Sequence, residues 1–415
     1  MKLSIHYNKA SIKIELEESR IAGVIGPKQI EDRDSDSLIQ NAIRNPIDGP
    51  SLSTFLGNKA RPLCIVNDTD RATPTAKILP HLQNEIGHLD LEFIVASGTH
   101  PSPREEDLMV IFGDLLPAVR NRIFIHNAKN TDELVQVGTT SRGTPVLYNK
   151  KVSDADAVLV IGSVEPHYFA GFTGGRKSFL PGVAGYESVE LNHKLALENG
   201  VDVMALEGNP LHEDLEEAAG LLGDKPIFSI QLVLDAKDQI ADAFAGSLAS
   251  TFDKGVQSAR GIFSVPIPEQ IDVVVAVAEP PLDKNLYQAH KAIENVKSVL
   301  KTDGILILIA ACLEGIGNDG FARLLSTSDS PDDVLRSIRN SYKLGHHKAA
   351  RIAELVQNTQ LWAVSELSDN ILKSLFILKK GNAQFALDEA IRLKPDGKVL
   401  IVNAATVAVP VVSSR

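Results

Sequence analysis

Cysteine, methionine and tryptophan are scarce in this chain, with two, three and one among 415 residues. Cys64 and Cys312 sit in separate apolar runs, so neither a disulfide framework nor a Cys-x-x-Cys metal or redox motif can be built. His-Glu-x-x-His is also missing, and spacing alone therefore identifies no zinc site. No stretch reaches the roughly 18 apolar residues of a membrane span. The amino terminus, MKLSIHYNKASIKIELEES, alternates where a signal peptide would be uniformly apolar. Basic residues are the minority, 42 against 53 acidic, for a net charge of −11. That balance argues against a broad phosphate-backbone surface and leaves room for a local basic pocket. The expectation is a cytoplasmic protein that engages neither nucleic acid nor membrane.

Hydrophobic residues at 44% and charged residues at 23%, without any low-complexity tract, describe a globular chain. At about 150 residues per domain, two or three domains are expected. Leu3–Tyr7 and Ile12–Leu16 read as a hairpin turning at Asn8-Lys9. Short apolar runs then alternate with helical patterns: 63–66, 91–95, 122–126, 157–161 and 227–231. A second series follows Pro266 and Pro268, with strands over 271–277, 305–309, 361–364 and 398–402. This alternation predicts an α/β protein with two domains and mostly parallel sheets, the active site lying in the cleft between them. The predicted division is 1–268, 269–404, and a tail over 405–415 that packs back on the first domain. Residues Asn285–Lys301 carry Leu286, Ala289, Ile293, Val296 and Leu300 at three- and four-residue spacing, which predicts one helix with Gln288 and Lys291 on a neighbouring polar face.

Ligands of open parallel sheets sit beyond the carboxyl ends of the strands, and the residues there are unusual. Val66 is followed by Asn67-Asp-Thr-Asp-Arg-Ala-Thr-Pro-Thr75, Val95 by Ala96-Ser-Gly-Thr-His100, and Ile161 by a long glycine-rich stretch through Ser178. Three strand ends thus deliver Asp68, Arg71, His100 and His167 to one rim. Singly each has a plain structural reading, as an Asx turn, a surface ion pair or a loop histidine; their convergence is what points to chemistry.

Gly171-Phe-Thr-Gly-Gly-Arg-Lys-Ser178 approaches the phosphate-loop pattern, but Arg176 stands where the glycine before lysine is required, which excludes a nucleoside-triphosphatase. Two readings remain: Gly174, Gly175, Arg176 and Ser178 hold an anion, or the glycines serve tight packing. Lys177 adjoins a cation, which favours its nucleophilic neutral amine. His193, on the helix predicted after the loop, is a candidate metal ligand or a packed histidine. His346-His347 reads as a helix start, because adjacent helical residues diverge by about 100°. Trp362 reads as core.

The set Asp68-Thr-x-Arg71, Gly98-Thr-His100, His167-Tyr-Phe-Ala-Gly-Phe-x-Gly-Gly-Arg-Lys177, His193 and Tyr287-Gln288-x-x-Lys291 resembles the nickel-pincer lactate racemase family over nearly the whole chain. The resemblance implies Ni(II) held in a nickel-pincer nucleotide, pyridinium-3-thioamide-5-thiocarboxylic acid mononucleotide, supplied by cofactor-biosynthesis proteins. It implies that Lys177 tethers the nucleotide, that His193 ligates nickel, and that Asp68, Gly174, Gly175 and Arg176 contact the cofactor. It further implies racemisation or epimerisation of a 2-hydroxy acid by reversible hydride transfer from C2. His100 and His167 would be the two bases, Arg71 the carboxylate clamp, and Tyr287, Gln288 and Lys291 the substrate contacts of the second domain. Hydride removal, with a base taking the hydroxyl proton, leaves a neutral ketone; abstraction of the very weakly acidic C2 proton does not.

Two departures bear on the substrate. Tyr342-Lys-Leu-Gly-His-His347 offers no evident equivalent of the aromatic residue that lactate enzymes carry in this domain, and Val402-Asn-Ala-Ala405 differs from the family's usual loop. Members acting on malate-like, aryl-substituted or sugar acids are thus in view beside lactate. Two further readings differ in class: a non-catalytic protein that binds the cofactor or a phosphorylated metabolite, and a metal-dependent hydrolase using His167 and His193. Paired histidines beside Lys177 favour the enzyme over storage, and the hydrolase lacks a carboxylate ligand set.

Overall fold

The computed structural model describes residues 1–8, 10–86 and 91–413. It divides into two compact units, one made of Gln29–Gly261 and the other of Met1–Lys28 with Ile262–Arg415. The expected boundary near residue 268 is corrected at the amino terminus. Ile21–Ile25 pairs in parallel with Val399–Val402, and Ile5, Ile14 and Leu16 of the opening hairpin pack against Val273, Ile307 and Trp362. The first 28 residues therefore complete the carboxy-terminal unit. The hairpin pairs Lys2–Tyr7 with Ala10–Glu15; of its expected turn at Asn8-Lys9, Lys9 lies outside the described residues.

The unit of residues 29–261 holds a six-stranded sheet in the order Ile240–Gly246, Ile227–Leu234, Ala157–Ser163, Pro62–Asn67, Glu92–Ala96, Ile123–Ile125. Its pairings are parallel except at the edge strand Ile240–Gly246. Every residue of Ala157–Ser163 is buried, as an apolar run covered on both faces requires. From Pro62–Asn67 the chain builds outward to one side and then returns to place Ala157–Ser163 on the other. The strand order thus reverses between these two strands, and a crevice opens at their carboxyl ends.

In the other unit six strands are all parallel: Leu378–Lys379, Gln360–Val364, Leu300–Ile309, Ile271–Val277, Val399–Val402 and Ile21–Ile25. Trp362 is core, and the described helix His346–Asn358 starts at the histidine pair. The helix expected over 285–301 runs only from Leu286 to Val296, capped by the Asn285 side chain accepting the Gln288 N–H at 2.9 Å. A tight turn over Lys297–Val299 ends it and Leu300 enters the sheet opposite Ile271. Ladder pairing wins there over helical periodicity. The tail strand Val409–Val412 pairs with Ser264–Ile267 in this same unit. Both cysteines are buried and free. Among the described residues no helix is long and apolar enough to cross a membrane.

Candidate active site

Asp68 follows strand Pro62–Asn67, and His100 follows Glu92–Ala96. The His100 ring Nδ1 lies 2.7 Å from Asp68 Oδ2 and 3.2 Å from Asp70 Oδ2. A carboxylate only accepts, so Nδ1 carries a proton; in the neutral ring Nε2 then keeps its lone pair. Asp68 is buried while His100 is 45% exposed, which sets a fixed acceptor behind an accessible base. Gly98 makes this loop possible. Its φ is +54°, its N–H donates to Gly182 O at 2.9 Å, and a Cβ there would stand 3.2 Å from Pro181 O. Thr73 joins the two central strand ends, its hydroxyl 2.8 Å from that of Ser163 and accepting from Asn67 at 2.8 Å.

After Ala157–Ser163 the chain forms a miniature antiparallel pair, Pro166–His167 with Gly171–Phe172, and then a turn over Gly175–Ser178. Lys177 Nζ and His167 Nε2 stand 3.1 Å apart, both nearly inaccessible. The ring of Phe169 faces this pair, 5.1 Å from Nζ and 4.4 Å from the imidazole. The other imidazole nitrogen, Nδ1, receives the backbone N–H groups of Ala170 at 3.3 Å and Phe169 at 3.5 Å. His193 also packs edge-on against Phe169, with ring centroids 4.9 Å apart. Burial, helped by the nearby Lys177 ammonium and weakly by His100, lowers the His193 pKa to about 3. Its imidazole is neutral near pH 7 and has a lone pair for a soft metal. His193 senses both Lys177 and His100, so the products of different strand ends share one electrostatic environment.

The glycine loop corrects one expectation. Gly175 N–H donates to Gln231 Oε1 at 3.1 Å, and Gly174, at φ +81°, would put a Cβ 2.6 Å from that oxygen and 2.9 Å from Ser163 O. The glycines serve tight packing, and the Gly175 amide is not offered to an anion. Arg176 likewise turns inward. It is 1% exposed and donates to Ala170 O at 2.9 Å, Phe172 O at 3.2 Å and Gly174 O at 3.4 Å. Its Nε reaches His212 Nδ1 at 3.1 Å, Glu216 lies 3.3 Å away, and the guanidinium covers Phe252 at 4.1 Å. Burial lowers its pKa to about 10, with Glu216 opposing, so it stays charged while bound to the loop's own carbonyls.

Sequence reasoning missed Gln231, His212 and Phe169. A signal existed for Gln231, because a glutamine inside the apolar run Ile227–Gln231 must find a buried partner. Arg71 lies on the rim, Nη1 3.7 Å from Glu165 Oε1. Tyr287, Gln288 and Lys291 belong to the helix of the other unit, where Lys348 Nζ sits 3.5 Å over the Tyr287 ring. The Thr75 hydroxyl is buried without a hydrogen-bond partner where helix Thr75–Ile86 begins. Asp68, Asp70 and His100 bring three ligand-type atoms within 4.8 Å, but both carboxylates face the imidazole, and His193 is not of that group.

An imidazole braced by a carboxylate, a second imidazole against an amine, and a crevice at the strand-order reversal define an α/β enzyme site. Residues 7–204 match the family model of the lactate racemase N-terminal domain and residues 267–411 that of the lactate racemase C-terminal domain. A lactate racemase of Thermoanaerobacterium thermosaccharolyticum is 28% identical over 97% of this chain and 99% of its own length. One from Lactiplantibacillus plantarum is 28% identical over 82% of both chains. The structure of the Thermoanaerobacterium lactate racemase apoprotein superposes with a TM-score of 0.92 at 27% identity, covering 99% of this chain and 100% of that one. A Thermotoga maritima protein shares the fold, with a TM-score of 0.70 at 16% identity over 91% and 98% of the two chains. The protein is an isomerase of the racemase type. This chain belongs to the lactate racemase family.

Proposed function

We propose that the chain is a cytoplasmic, nickel-dependent racemase or epimerase of a 2-hydroxy acid that tethers a nickel-pincer nucleotide through Lys177. The observation that carries this reading is the Lys177 amine 3.1 Å from His167, beside His193 and on the same rim as the Asp68-braced His100. The residues suit the group. A neutral His193 is a competent nickel ligand, and Lys177 in an aromatic enclosure is a nucleophile shielded from water. The unpartnered Thr75 hydroxyl at a helix amino terminus suits a phosphate. Arg176 and the Gly175 amide are reassigned to building the loop.

When bound, the nucleotide's ring supplies a hydride acceptor for C2. His100 takes or returns the substrate hydroxyl proton in one orientation and His167 in the other. Arg71 holds the carboxylate, for which its planar fork is suited. Tyr287, Gln288 and Lys291 are assigned the remaining substrate oxygens. Asp68 acts through His100 by fixing the proton-bearing nitrogen.

The test is intact-mass measurement after co-expression with the cofactor-making proteins, followed by a panel of 2-hydroxy acids beginning with lactate. An adduct on Lys177 is expected, together with stereoinversion that brings no solvent deuterium to C2. Lys177→Ala should carry no adduct and show no turnover. An active but unmodified chain, or deuterium at C2, would overturn the proposal.

A further inference from the structure

Arg71 reaches the rim with its guanidinium uncommitted. Among the described residues its side chain makes no hydrogen bond, and its charged neighbour is Glu165, with Nη1 and Oε1 3.7 Å apart. A two-pronged guanidinium–carboxylate pair closes to about 2.7–2.9 Å, so these two groups attract without sharing a proton. The cause lies in the backbone. Glu165 enters the miniature antiparallel pair bonded to Thr173: its N–H donates to Thr173 Oγ1 at 3.0 Å and its C=O accepts the Thr173 N–H at 2.9 Å. Thr173 is buried, its hydroxyl donating in turn to Ser163 O at 2.9 Å. Arg71 is tied from the other side, its N–H donating to Asp68 O at 3.2 Å. Two backbones held apart thus leave two part-exposed side chains, at 26% and 33%, facing across a gap. Such a pair is weak and screened by solvent, whereas a small carboxylate carries no tether and can close on the fork. Asp235 and Asp238, in the turn after Ile227–Leu234, bring further carboxylates to this rim. Burial, and after it the charges of Glu165 and Asp235, push the Asp238 carboxyl upward.

We propose that Glu165 is a specificity-determining residue: it is the resident counter-ion of Arg71, which the substrate carboxylate must displace, and its charge favours 2-hydroxy acids with one carboxylate over those with two. The inference rests on the reading of Arg71 as the carboxylate clamp and deepens it. A monoanion exchanges a loose ion pair for a two-pronged one and leaves Glu165 to water. A malate-like dianion meets the same fork with a second charge to place, on a rim already lined by Glu165, Asp235 and Asp238. Repulsion between part-exposed carboxylates is felt over a screening length of about 8–10 Å, which exceeds the span of a four-carbon acid. Lactate, aryl-substituted and sugar acids therefore stand ahead of malate-like ones as substrates.

The test uses the unloaded full chain and needs no turnover. Sodium lactate and sodium malate are titrated at neutral pH against protein labelled with ¹⁵N-arginine, following the Arg71 Nε–H correlation, which is identified by its loss in Arg71→Lys. The wild type is expected to bind lactate more tightly than malate. Glu165→Gln, isosteric at a part-exposed position, should tighten lactate about two- to fivefold and malate about tenfold or more. Lactate binding that is unchanged or weakened in Glu165→Gln would make Glu165 an orienting partner of Arg71 and overturn the proposal. A malate gain no larger than the lactate gain would do the same, as would a wild type that prefers malate. An Arg71 signal that responds to neither acid, in wild type and variant alike, removes the clamp and the inference with it. Racemisation by the loaded enzyme is a separate measurement. Its absence would leave this exchange at Arg71 standing, and its presence beside an unchanged Glu165→Gln titration would strike this inference alone.

Discussion

His100 and His167 occupy equivalent places, each just past the end of a parallel strand, yet they are anchored in opposite ways. His100 donates its Nδ1 N–H to Asp68, stands partly in solvent and leaves Nε2 away from that bond. His167 takes backbone amides at Nδ1, is buried among aromatic rings and directs Nε2 at an amine. On the proposed assignment, a symmetrical reaction is served by an unsymmetrical pair. One imidazole is braced by carboxylates and open to solvent; the other is enclosed and held by its own loop. The difference follows from the strand ends. The loop after Glu92–Ala96 is short and reaches an aspartate on the adjacent strand end, whereas the loop after Ala157–Ser163 folds back on itself and supplies its own amides.

The sharpest way to break this comparison is to remove each ring. His100→Ala and His167→Ala should each lower kcat by about 10²–10⁴-fold. A racemisation has an equilibrium constant of one, so kcat/KM must fall equally in the two directions whichever ring is lost. The asymmetry must be sought in a single turnover, where each variant should form 2-keto acid from one enantiomer and not from the other. Equal formation from both enantiomers in either variant would show that the rings do not divide the labour. Asp68→Asn should cost less, about 10–100-fold, because an amide can hold either tautomer of His100 and Asp70 Oδ2 lies 3.2 Å from the same nitrogen. Asp70→Asn, at an exposed carboxylate, should change kcat by less than about threefold. A larger effect at Asp70 than at Asp68 would invert the assignment of the bracing group.

Smaller again is the effect on the loop that carries Lys177. Gly174→Ala forces a side chain into a left-handed backbone 2.6 Å from Gln231 Oε1 and should lower stability by about 1–3 kcal/mol, read as a fall in Tm. This loop marks the limit of what could be read from the amino-acid order. The core strands of both sheets were legible, because a strand buried on both faces must be an apolar run of four to eight residues. The rim was legible as well, since strand ends and site residues coincide in such sheets. Ile21–Ile25 was not, because Ala22 and Gly23 interrupt its apolar pattern and its partner lies nearly 380 residues away in sequence. The direction of Arg176 was not either: neighbouring residues of a tight turn diverge, and nothing in Gly-Gly-Arg-Lys says which cation turns inward. That choice was decided by carbonyls of residues 170–174 that only the folded hairpin brings together.

The last comparison is between the rings that face the rim and those folded into the interior. Burial holds the pKa of His193, His212 and His290 at about 3 each, whereas the unfolded chain titrates near 6.5. Between these values the unfolded state binds more protons than the folded one, so stability rises with pH and is lost as pH falls from about 6.5 towards 3. Carboxylates complicate the lower part of this range. Glu294, held at about 2 chiefly by the Lys297 and His290 charges against its burial, adds to the loss below about 4.5, while Glu216 and Glu354, raised by burial, oppose it. The interval from about 6.5 to 5 thus belongs mainly to the histidines. Urea-unfolding midpoints measured across it should fall steadily with pH in the unloaded protein. His212→Gln, which keeps an acceptor for Arg176 and removes one titrating ring, should lower proton uptake on unfolding by up to about one. A midpoint that stays flat between pH 6.5 and 5 would mean that the buried rings are protonated in the folded chain, and a protonated His193 could not be a metal ligand.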